Sequence, residues 1–591
     1  MNTLLHYVIL AILALLVLRL AWWCWGPHGR VPRYRVRYLR LRLRLRLYPG
    51  RGHATVVELW LRWSRFAAFR RGKRSRMSLT WWQRILAGCC AWSIFIGRAH
   101  YRHGLRVPLE EHVLFLGPPR GGKTGVLAAI IMRYPGPVLS SSTKADVFTL
   151  TSGLRAARGP VHMFNPQGIG GFPSTFRWNP IAGAEDPQVA IRRADAFSQA
   201  IAMGGVDDAS FWTAKASDYL RAFFHAAALA GGDMRLVARW VLADQPEEAE
   251  QILAGHGLED WAAQIAELRG EAHKTAHTVR MTMSRALSFM HDPQLAQAVL
   301  PAPGTGLDIS RFLARSGALY LIAEARDNDA SPVAALFACL ANEVRFTAEL
   351  RGSTMPGGRL DPPLLMALDE IVQTCPVPLP SWLSDAGGKG IQIVTVTHGV
   401  GQLRSRWQHN GAEVILDTCG TKILLPGISD TDTLDKAGKL CGQAALYERG
   451  ARRGVFGELG EEHVSRVEVM SPDMIRQLPE GRALVVRGGL APTVAKLPRA
   501  WKSWKYRNAR RSGLAVAVLT PAPSAVRPST RPAPTPQPET VAAAAHHAGA
   551  AAHSTRPHLH LVTDAPDTQL PDGRDDEEEA FPPGDYPWSP Q

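Results

Sequence analysis

Cysteine is scarce in this chain, and so are long apolar runs. The 591 residues contain seven cysteines, none of them in a Cys-x-x-Cys pair. A disulfide framework is therefore excluded, and reduced thiols are expected. The mean hydropathy of −0.10 excludes a transporter with many membrane spans. The length suggests about two to four domains, most of them globular.

Acidic residues are almost absent from one stretch near the N-terminus. Residues 27–77 hold sixteen Lys and Arg but a single acid, Glu58, whereas residues 512–591 hold four Arg and ten Asp and Glu. The net charge of +16 therefore reflects mainly the N-terminal segment. It is weak evidence that the central body itself binds nucleic acid.

The one long apolar run is Leu4–Trp25, interrupted only by His6 and Arg19. A helix of this length covers about 33 Å, enough for the hydrocarbon core of a bilayer. Tryptophans at its end and the basic stretch that follows favour a cytoplasmic C-terminal side. We predict a single-pass anchor in the cell membrane, with the body in the cytoplasm. A signal peptide fits less well, because no charged region precedes the run.

Two further stretches near the anchor carry apolar patterns. Arg35–Leu47 alternates basic and apolar residues, which favours an amphipathic strand or an interfacial segment on anionic lipid over a DNA-binding segment. Ile85–Gly97 is apolar but only thirteen residues long, which is short for a membrane span. It predicts a buried strand or an interfacial helix.

The sharpest motif is a glycine-rich loop between a strand pattern and a helix pattern. The apolar run His112–Leu116 is followed by GPPRGGKT at Gly117–Thr124 and then by the helical pattern VLAAIIMRY. This is the GxxxxGK[ST] phosphate-binding pattern in its required setting. In such a loop Lys123 reaches the β- and γ-phosphates, and the Thr124 hydroxyl binds Mg²⁺. The residues predicted to contact the nucleotide are Gly117, Pro118, Pro119, Arg120, Gly121, Gly122, Lys123, Thr124 and Gly125.

A second strand pattern ends in a pair of acids. The sequence LLMALDE at Leu364–Glu370 places five apolar residues before Asp369 and Glu370. Behind a phosphate-binding loop, Asp369 is expected to hold Mg²⁺ through water, and Glu370 to act as general base on the attacking water. The competing interpretation is a strand that ends in two solvated acids.

The remaining patterns predict an α/β core with an all-α insertion. Four more apolar or β-branched runs suit a parallel sheet covered on both faces, and they are Pro137–Ser140, Gly317–Ala323, Ile391–Thr397 and Thr421–Leu425. Residues 186–300 are rich in alanine, with apolar residues at helical spacing. The aromatic residues expected in the core of this insertion are Phe211, Trp212, Phe223 and Phe224.

From Gly513 onward the chain is rich in Ala, Pro, Thr and Ser, and it ends in a cluster of acids. Such a composition buries too little apolar surface to fold alone, so we predict a disordered acidic tail. The tail is either inert or a docking segment. The predicted divisions are an anchor, a basic juxtamembrane region, the first part of the nucleotide-binding core, the all-α domain, the second part of the core, and the tail, at 1–27, 28–98, 99–185, 186–300, 301–511 and 512–591.

Several separated stretches agree, in order and spacing, with one family. The chain resembles the TraG/TraD-type coupling proteins of conjugation and type IV secretion, in the form found in actinobacterial conjugative elements. The resemblance covers about residues 55–505. The stretches that carry it are EEHVLFLGPPRGGKTG, PGPVLSSSTKADVF, GPVHMFNPQGIGG, RLDPPLLMALDE and LPSWLSDAGGKGIQIVTVTHGVGQLRSRW.

The resemblance implies a RecA-like P-loop NTPase core that binds ATP and Mg²⁺, on a membrane-anchored ring that is a homo-hexamer. It implies ATP hydrolysis that drives relaxase-bound DNA, expected to be single-stranded, into a type IV secretion channel. The implied partners are a relaxase or accessory protein, the channel components and the inner membrane. The positions that match the Walker A and Walker B motifs are Gly117, Gly122, Lys123, Thr124, Asp369 and Glu370.

Two positions depart from the wider family. Many members have Gln at the end of the strand after Walker B, where this chain has His398, with Gln402 four residues later. We predict that His398 and Gln402 are catalytic residues together with Lys123 and Glu370, and that elements near them sense the loss of the γ-phosphate. Many members have Arg just before that strand, where this chain has Lys389, a poorer donor than the forked guanidinium. Arg404 or Arg406 is the alternative residue acting on a neighbouring subunit's nucleotide.

Two other functions remain open at this stage. An FtsK-like pump for double-stranded DNA predicts a sequence-reading domain at the C-terminus, where only the low-complexity tail stands. A substrate receptor with little ATPase activity also stays possible, because Lys389 and His398 replace the residues usual in the family.

Overall fold

The computed structural model describes residues 53–99, 102–201, 209–270, 273–302, 305–325, 330–449 and 462–522. The predicted anchor at 1–27 and the alternating segment Arg35–Leu47 lie outside these ranges, as does the tail after residue 522. Within the described ranges, no helix combines the length and apolar character that crossing a bilayer requires.

The strands of the described residues form one large sheet and one hairpin. They are β1 Ser93–Arg98, β2 Gly104–Pro108, β3 Val113–Leu116, β4 Val138–Ser142, β5 Val161–Phe164, β6 Ala318–Ile322, β7 Leu364–Asp369, β8 Ile391–Thr397, β9 Thr421–Leu424, β10 Gln443–Arg449, β11 Glu462–Glu468, β12 Arg482–Arg487 and β13 Thr493–Lys496.

The large sheet has eleven strands in the order β2-β1-β13-β12-β9-β3-β8-β7-β4-β6-β5. The seven strands from β9 to β5 are parallel, while β12 pairs with β9 in the antiparallel direction. The prediction of a parallel α/β core is confirmed, and the antiparallel extension at one edge was not predicted. The hairpin β10–β11 stands outside this sheet.

The helices surround the sheet or form the insertion. They are α1 Val56–Glu58, α2 Arg65–Ser75, α3 Trp81–Ala87, α4 Lys123–Ile131, α5 Asp146–Ala156, α6 Pro187–Gln199, α7 Ala209–Leu229, α8 Met234–Leu242, α9 Glu247–Gly255, α10 Glu259–Gly270, α11 His273–Ala286, α12 Pro293–Gln297, α13 Ile309–Ala314, α14 Ala334–Ser353, α15 Ile371–Thr374, α16 Leu379–Asp385, α17 Val400–Thr418, α18 Thr431–Cys441, α19 Pro472–Arg476 and α20 Trp504–Arg511.

The central strands are buried on both faces, which explains their continuous apolar sequences. Along β3, Leu114 and Leu116 belong to the core cluster on one face, and Val113 and Phe115 belong to the cluster on the other. Alternating residues of a strand point to opposite faces, so an unbroken apolar run places a core on each side.

The stretch predicted as an all-α insertion runs from α6 to α12. Arg192 and Arg193 of α6 both bind the carboxylate of Glu343 in α14, at 2.7 and 3.1 Å, and so hold the helices against the sheet layer. Phe223 and Phe224 are buried as expected. The expectation was wrong for Phe211, which lies in the first turn of α7 and is 48% exposed.

Two other sequence boundaries differ from the structure. The apolar stretch Ile85–Gly97 is divided between the end of α3 and the strand β1. Residues 512–522, predicted as part of the tail, lie within the described residues. There the Gly153 N–H donates to the Ala515 carbonyl at 3.1 Å, and the Ala517 N–H donates to Ser152 Oγ at 3.0 Å.

Candidate nucleotide site

The glycine-rich loop lies between the end of β3 and the start of α4. A Cβ at Gly117 would lie 2.5 Å from Cβ of Leu425, so a larger residue does not fit there. Gly122 has φ of +90°, a conformation that glycine adopts without strain. Lys123 opens α4, and its Nζ donates to the Gly117 carbonyl at 3.1 Å. The lysine therefore folds back over the loop.

The acidic pair lies at the end of β7, two strands away from β3. Asp369 is the last residue of β7 and is buried, with 7% of its surface exposed. Glu370 follows with φ of +49°, a left-handed conformation that is uncommon for a residue with a side chain. Such conformations cluster at functional sites. Its Oε2 accepts a hydrogen bond of 2.5 Å from Thr143 Oγ1.

His398 lies between these two elements, because β8 separates β3 from β7 and His398 follows β8. Its Nδ1 is 2.8 Å from Lys123 Nζ, and its Nε2 is 3.9 Å from Glu370 Oε1. An ammonium group only donates, so Nδ1 is the acceptor and the ring proton is on Nε2, facing Glu370. The imidazole thus connects the lysine of the loop with the carboxylate after β7.

Gln402 contacts the backbone of this group rather than its side chains. Its Oε1 accepts from the His398 N–H at 2.9 Å, across the first turn of α17. The Gly117 N–H donates to the carbonyl of Thr397, the residue before His398, at 3.2 Å. The position of His398 is therefore set from two sides.

Burial controls the electrostatics of the site. It lowers the pKa of Lys123, an effect that the charges of Asp369 and Glu370 oppose. Burial, together with the charge of Lys123, lowers the pKa of His398, which favours the neutral imidazole. Burial and the neighbouring Glu370 raise the pKa of Asp369 to about 7. A group of positive charge near Asp369 would reverse that effect.

The residues present fit a nucleotide phosphate with a divalent cation. Oδ1 of Asp369 is buried and has no hydrogen-bond partner among the described residues. A buried carboxylate oxygen without a partner is costly unless a ligand satisfies it. Thr124 stands in the first turn of α4, whose N-terminal N–H groups favour an anion. Hydroxyl and carboxylate oxygens are ligands that Mg²⁺ accepts.

The three candidates for a residue acting on a neighbouring subunit are each engaged within this chain. Lys389 Nζ binds Asp385 and Glu349 at 2.6 and 2.9 Å. Arg404 binds Asp432 at 2.6 Å. Arg406 donates to the carbonyl of Ile201 at 2.8 Å and also contacts the carbonyl of Gln199. Burial lowers the pKa of Arg406 to about 10.

Two residues of the site were not singled out from the sequence. Thr143 stands just after β4, in the polar run that follows that strand, and the only available signal was its place at the carboxyl end of a strand. Trp501 packs against Gly125, where a Cβ would lie 2.8 Å from its ring. No sequence signal connected residues so far apart.

Part of the chain matches a known protein family. Residues 363–480 match the family described as the TraM recognition site of TraD and TraG. A comparison with curated protein sequences finds no match.

Solved structures of the conjugative coupling protein TrwB share the fold. The unbound monoclinic form of TrwBdeltaN70 matches with a TM-score of 0.52 and 17% identity, over 77% of this chain and 94% of that chain. Its trigonal form with sulphate matches with a TM-score of 0.53 and 16% identity, over 76% and 94%. The TrwB complex with the GTP analogue GDPNP matches with a TM-score of 0.51 and 16% identity, over the same shares. The family match and the common fold together confirm the resemblance to TraG/TraD-type type IV secretion coupling proteins.

Proposed function

We propose that this chain is the membrane-anchored ATPase that couples relaxase-bound DNA to a type IV secretion channel and drives conjugative transfer. The observation that carries the proposal is the cluster of Lys123, His398, Glu370 and Asp369 at the carboxyl ends of three adjacent strands. The match of residues 363–480 to the TraM recognition site of TraD and TraG supports the assignment to conjugation.

The proposed ligand is ATP with Mg²⁺. TrwB, which has the same fold, has been solved with a non-hydrolysable GTP analogue. In this chain the backbone of Gly117–Gly122 and the start of α4 would hold the phosphates, with Lys123 on the terminal one. Thr124 and Asp369 would hold the cation, which neutralises phosphate charge during transfer.

Hydrolysis requires a base for the attacking water, and Glu370 has the position for it. Its carboxylate projects from a left-handed turn next to the buried Asp369 and is oriented by the Thr143 hydroxyl.

His398 is the proposed sensor of the terminal phosphate. Its imidazole contacts Lys123 on one side and lies near the Glu370 carboxylate on the other, so loss of the terminal phosphate would change its surroundings. Because only Gly399 separates His398 from the start of α17, a movement of His398 would pass to that helix.

The predicted anchor and the resemblance support a proposal for the wider assembly. We propose that residues 1–27 hold the chain in the inner membrane as a single-pass protein, that six copies form a ring, and that single-stranded DNA passes through it. Contacts to the strand would be to backbone phosphates, because a motor must tolerate any sequence. An accessory protein of the relaxase complex is the partner that the family match favours.

The test is ATP hydrolysis by the full chain reconstituted in vesicles, with no DNA, with single-stranded DNA and with double-stranded DNA. We expect stimulation by single strands and a loss of turnover of at least about 100-fold in Lys123→Ala, because a charge-stabilising donor is removed. Lys439→Ala, at the exposed end of α18, is the matched control. Stimulation by duplex alone would favour the double-stranded pump, and binding without turnover would favour the receptor.

A further inference from the structure

The helix α3, Trp81–Ala87, exposes its apolar side chains to solvent and buries a charged one. Its only buried residue is Arg84. Trp82 and Leu86, one turn apart on its surface, are 68% and 84% exposed. Trp81 and Ile85 are about half exposed. A surface helix normally places its apolar side chains inward and its charges outward, so this helix has the reverse arrangement.

The inward arginine fixes this orientation. The Arg84 guanidinium lies 5.4 Å from the ring centre of Phe69 in α2, a cation–π contact. A capping box formed by Thr80 and Gln83 begins the helix. The outward direction of the apolar side chains is therefore built into the local packing.

The segment that precedes α3 in the chain also exposes apolar and basic side chains. Trp60, Leu61 and Phe66 are each about half exposed, and the rings of Trp60 and Phe66 stack 5.9 Å apart. The exposed basic residues among them are Arg62, Arg65, Arg70, Lys73 and Arg74. Between residues 53 and 88 the single acid is Glu58, whose Oε1 accepts from the Ala491 N–H. We call the exposed side chains of residues 56–86 the aromatic-basic face.

The aromatic-basic face is fixed to the edge of the sheet opposite the nucleotide site. Arg76, between α2 and α3, binds Asp361 at 2.6 Å, and the Ser78 N–H binds the same carboxylate at 2.7 Å. Asp361 precedes β7, so it lies at the amino end of the parallel strands. The proposed site occupies their carboxyl ends.

We propose that the aromatic-basic face docks flat on the anionic surface of the membrane, as a second membrane contact beyond the N-terminal anchor. Aromatic and basic residues together are typical of segments that lie in the interface of a bilayer. With α3 only about 10 Å long, the helix lies along the surface rather than across it. The described residues begin at His53, 28 residues after the apolar run ends at Trp25, and nine of the intervening residues are arginine. A linker of this length keeps the start of the face within reach of the membrane that the proposed anchor would occupy.

This docking rests on the proposed location at the membrane, and it adds the orientation of the folded body relative to the bilayer. The amino ends of the parallel strands face the bilayer, and the nucleotide site faces away from it. The same face of a second copy is the less suitable occupant, because that contact would bring together two sets of basic side chains.

The test uses the full chain in vesicles with spin-labelled acyl chains, with and without phosphatidylglycerol. One polarity-sensitive dye is attached at Leu86→Cys or, as control, at Leu440→Cys in α18, which is also exposed. Cys24→Ser, Cys89→Ser and Cys90→Ser remove the cysteines that would compete for the label. We expect lipid quenching at position 86 to exceed that at 440 several-fold, and to weaken when phosphatidylglycerol is omitted.

Charge variants provide the second measurement. Arg65→Gln with Lys73→Gln should lower the quenching at position 86 without changing the thermal midpoint, because both side chains are exposed. Equal quenching at positions 86 and 440 would overturn the proposal. A spectral shift of the dye at position 86 without lipid quenching would also overturn it, because that result indicates that a protein surface, not lipid, covers this position. Equal quenching in neutral vesicles would overturn the role of anionic lipid. ATP turnover in the same vesicles reports separately on the proposed function, and flotation reports separately on the anchor.

Discussion

The Thr143 hydroxyl and the Glu370 carboxylate are joined by a hydrogen bond of 2.5 Å between the ends of β4 and β7. The bond connects two adjacent strands of the sheet at the edge that carries the proposed nucleotide site. Glu370 has few other restraints on its side chain, which is 24% exposed. Thr143 is therefore a positioning residue for the proposed base.

Replacing Thr143 should reduce turnover without weakening nucleotide binding. A hydrogen bond to a charged group contributes about 1.5–3 kcal/mol, so we expect Thr143→Val to lower kcat by about 10- to 100-fold. Thr143→Ser keeps the hydroxyl and should retain most of the rate. The measurement is steady-state ATP hydrolysis together with the Kd for ATP. A parallel loss in both variants, or a loss confined to Kd, would contradict the positioning role.

Glu370→Gln should separate binding from hydrolysis. The amide keeps the size of the side chain and can still contact Thr143, but it does not accept a proton from water. We expect ATP to bind with nearly unchanged affinity and to remain uncleaved in a single-turnover experiment, with a rate at least about 100-fold lower. Asp417→Asn, in α17, serves as a control for the loss of one acidic charge. Normal product formation by Glu370→Gln would assign the base to another residue.

His112 should make the stability of the chain depend on pH. It is buried, its Nδ1 accepts from the Ile393 N–H at 3.1 Å, and burial lowers its pKa to about 4. The unfolded chain has the higher pKa, about 6.5, and so binds more protons between these values. The free energy of unfolding should therefore fall as pH falls from about 6.5 toward 4, by about 2 kcal/mol between pH 7.5 and 5.

Denaturant unfolding at these two pH values measures this effect. His112→Asn keeps an acceptor for the Ile393 N–H but has no proton to gain, so its stability should lose about 2 kcal/mol less than the wild type over the same interval. If both chains lose the same stability, His112 does not carry this pH dependence.

Truncation should locate the end of the folded body. Residues 514–517 lie against α5, and a Cβ at Gly153 would come within 2.0 Å of the Leu514 carbonyl oxygen. A chain ending at residue 522 should keep the thermal midpoint of the full chain. A chain ending at residue 511 loses the hydrogen bonds to Gly153 and Ser152 and should melt about 2 °C lower, because each contributes about 1 kcal/mol. Equal midpoints would place the end of the body at residue 511.

The sheet shows why some strands were predictable and others were not. β7, β8 and β9 are mostly apolar or β-branched because they are buried on both faces, and this is visible in sequence. Two local antiparallel pairs, β1–β2 and β12–β13, extend the sheet, and they join each other through β1 and β13, which lie almost 400 positions apart in the sequence. Their pairing depends on contacts between distant segments, which no local pattern records.

In the candidate site, too, some features are visible in the sequence and others depend on the tertiary structure. The loop Gly117–Thr124 and the acids after β7 carry local patterns, because each residue type is needed at a fixed spacing from its neighbours. The contact of Thr143 with Glu370, and that of Lys123 with His398, depend on strand order, which brings the ends of β4, β7, β8 and β3 to one edge.

The sequence by itself determined the glycine-rich loop pattern, the acidic pair, the parallel core and the family resemblance, since each is a matter of residue type and spacing. Only the tertiary structure decided which side chains meet. It placed the imidazole of His398 against Lys123, engaged Lys389, Arg404 and Arg406 within the chain, and turned the apolar side of α3 outward. The orientation of a side chain depends on what packs beneath it, and for α3 that is the contact of Arg84 with Phe69.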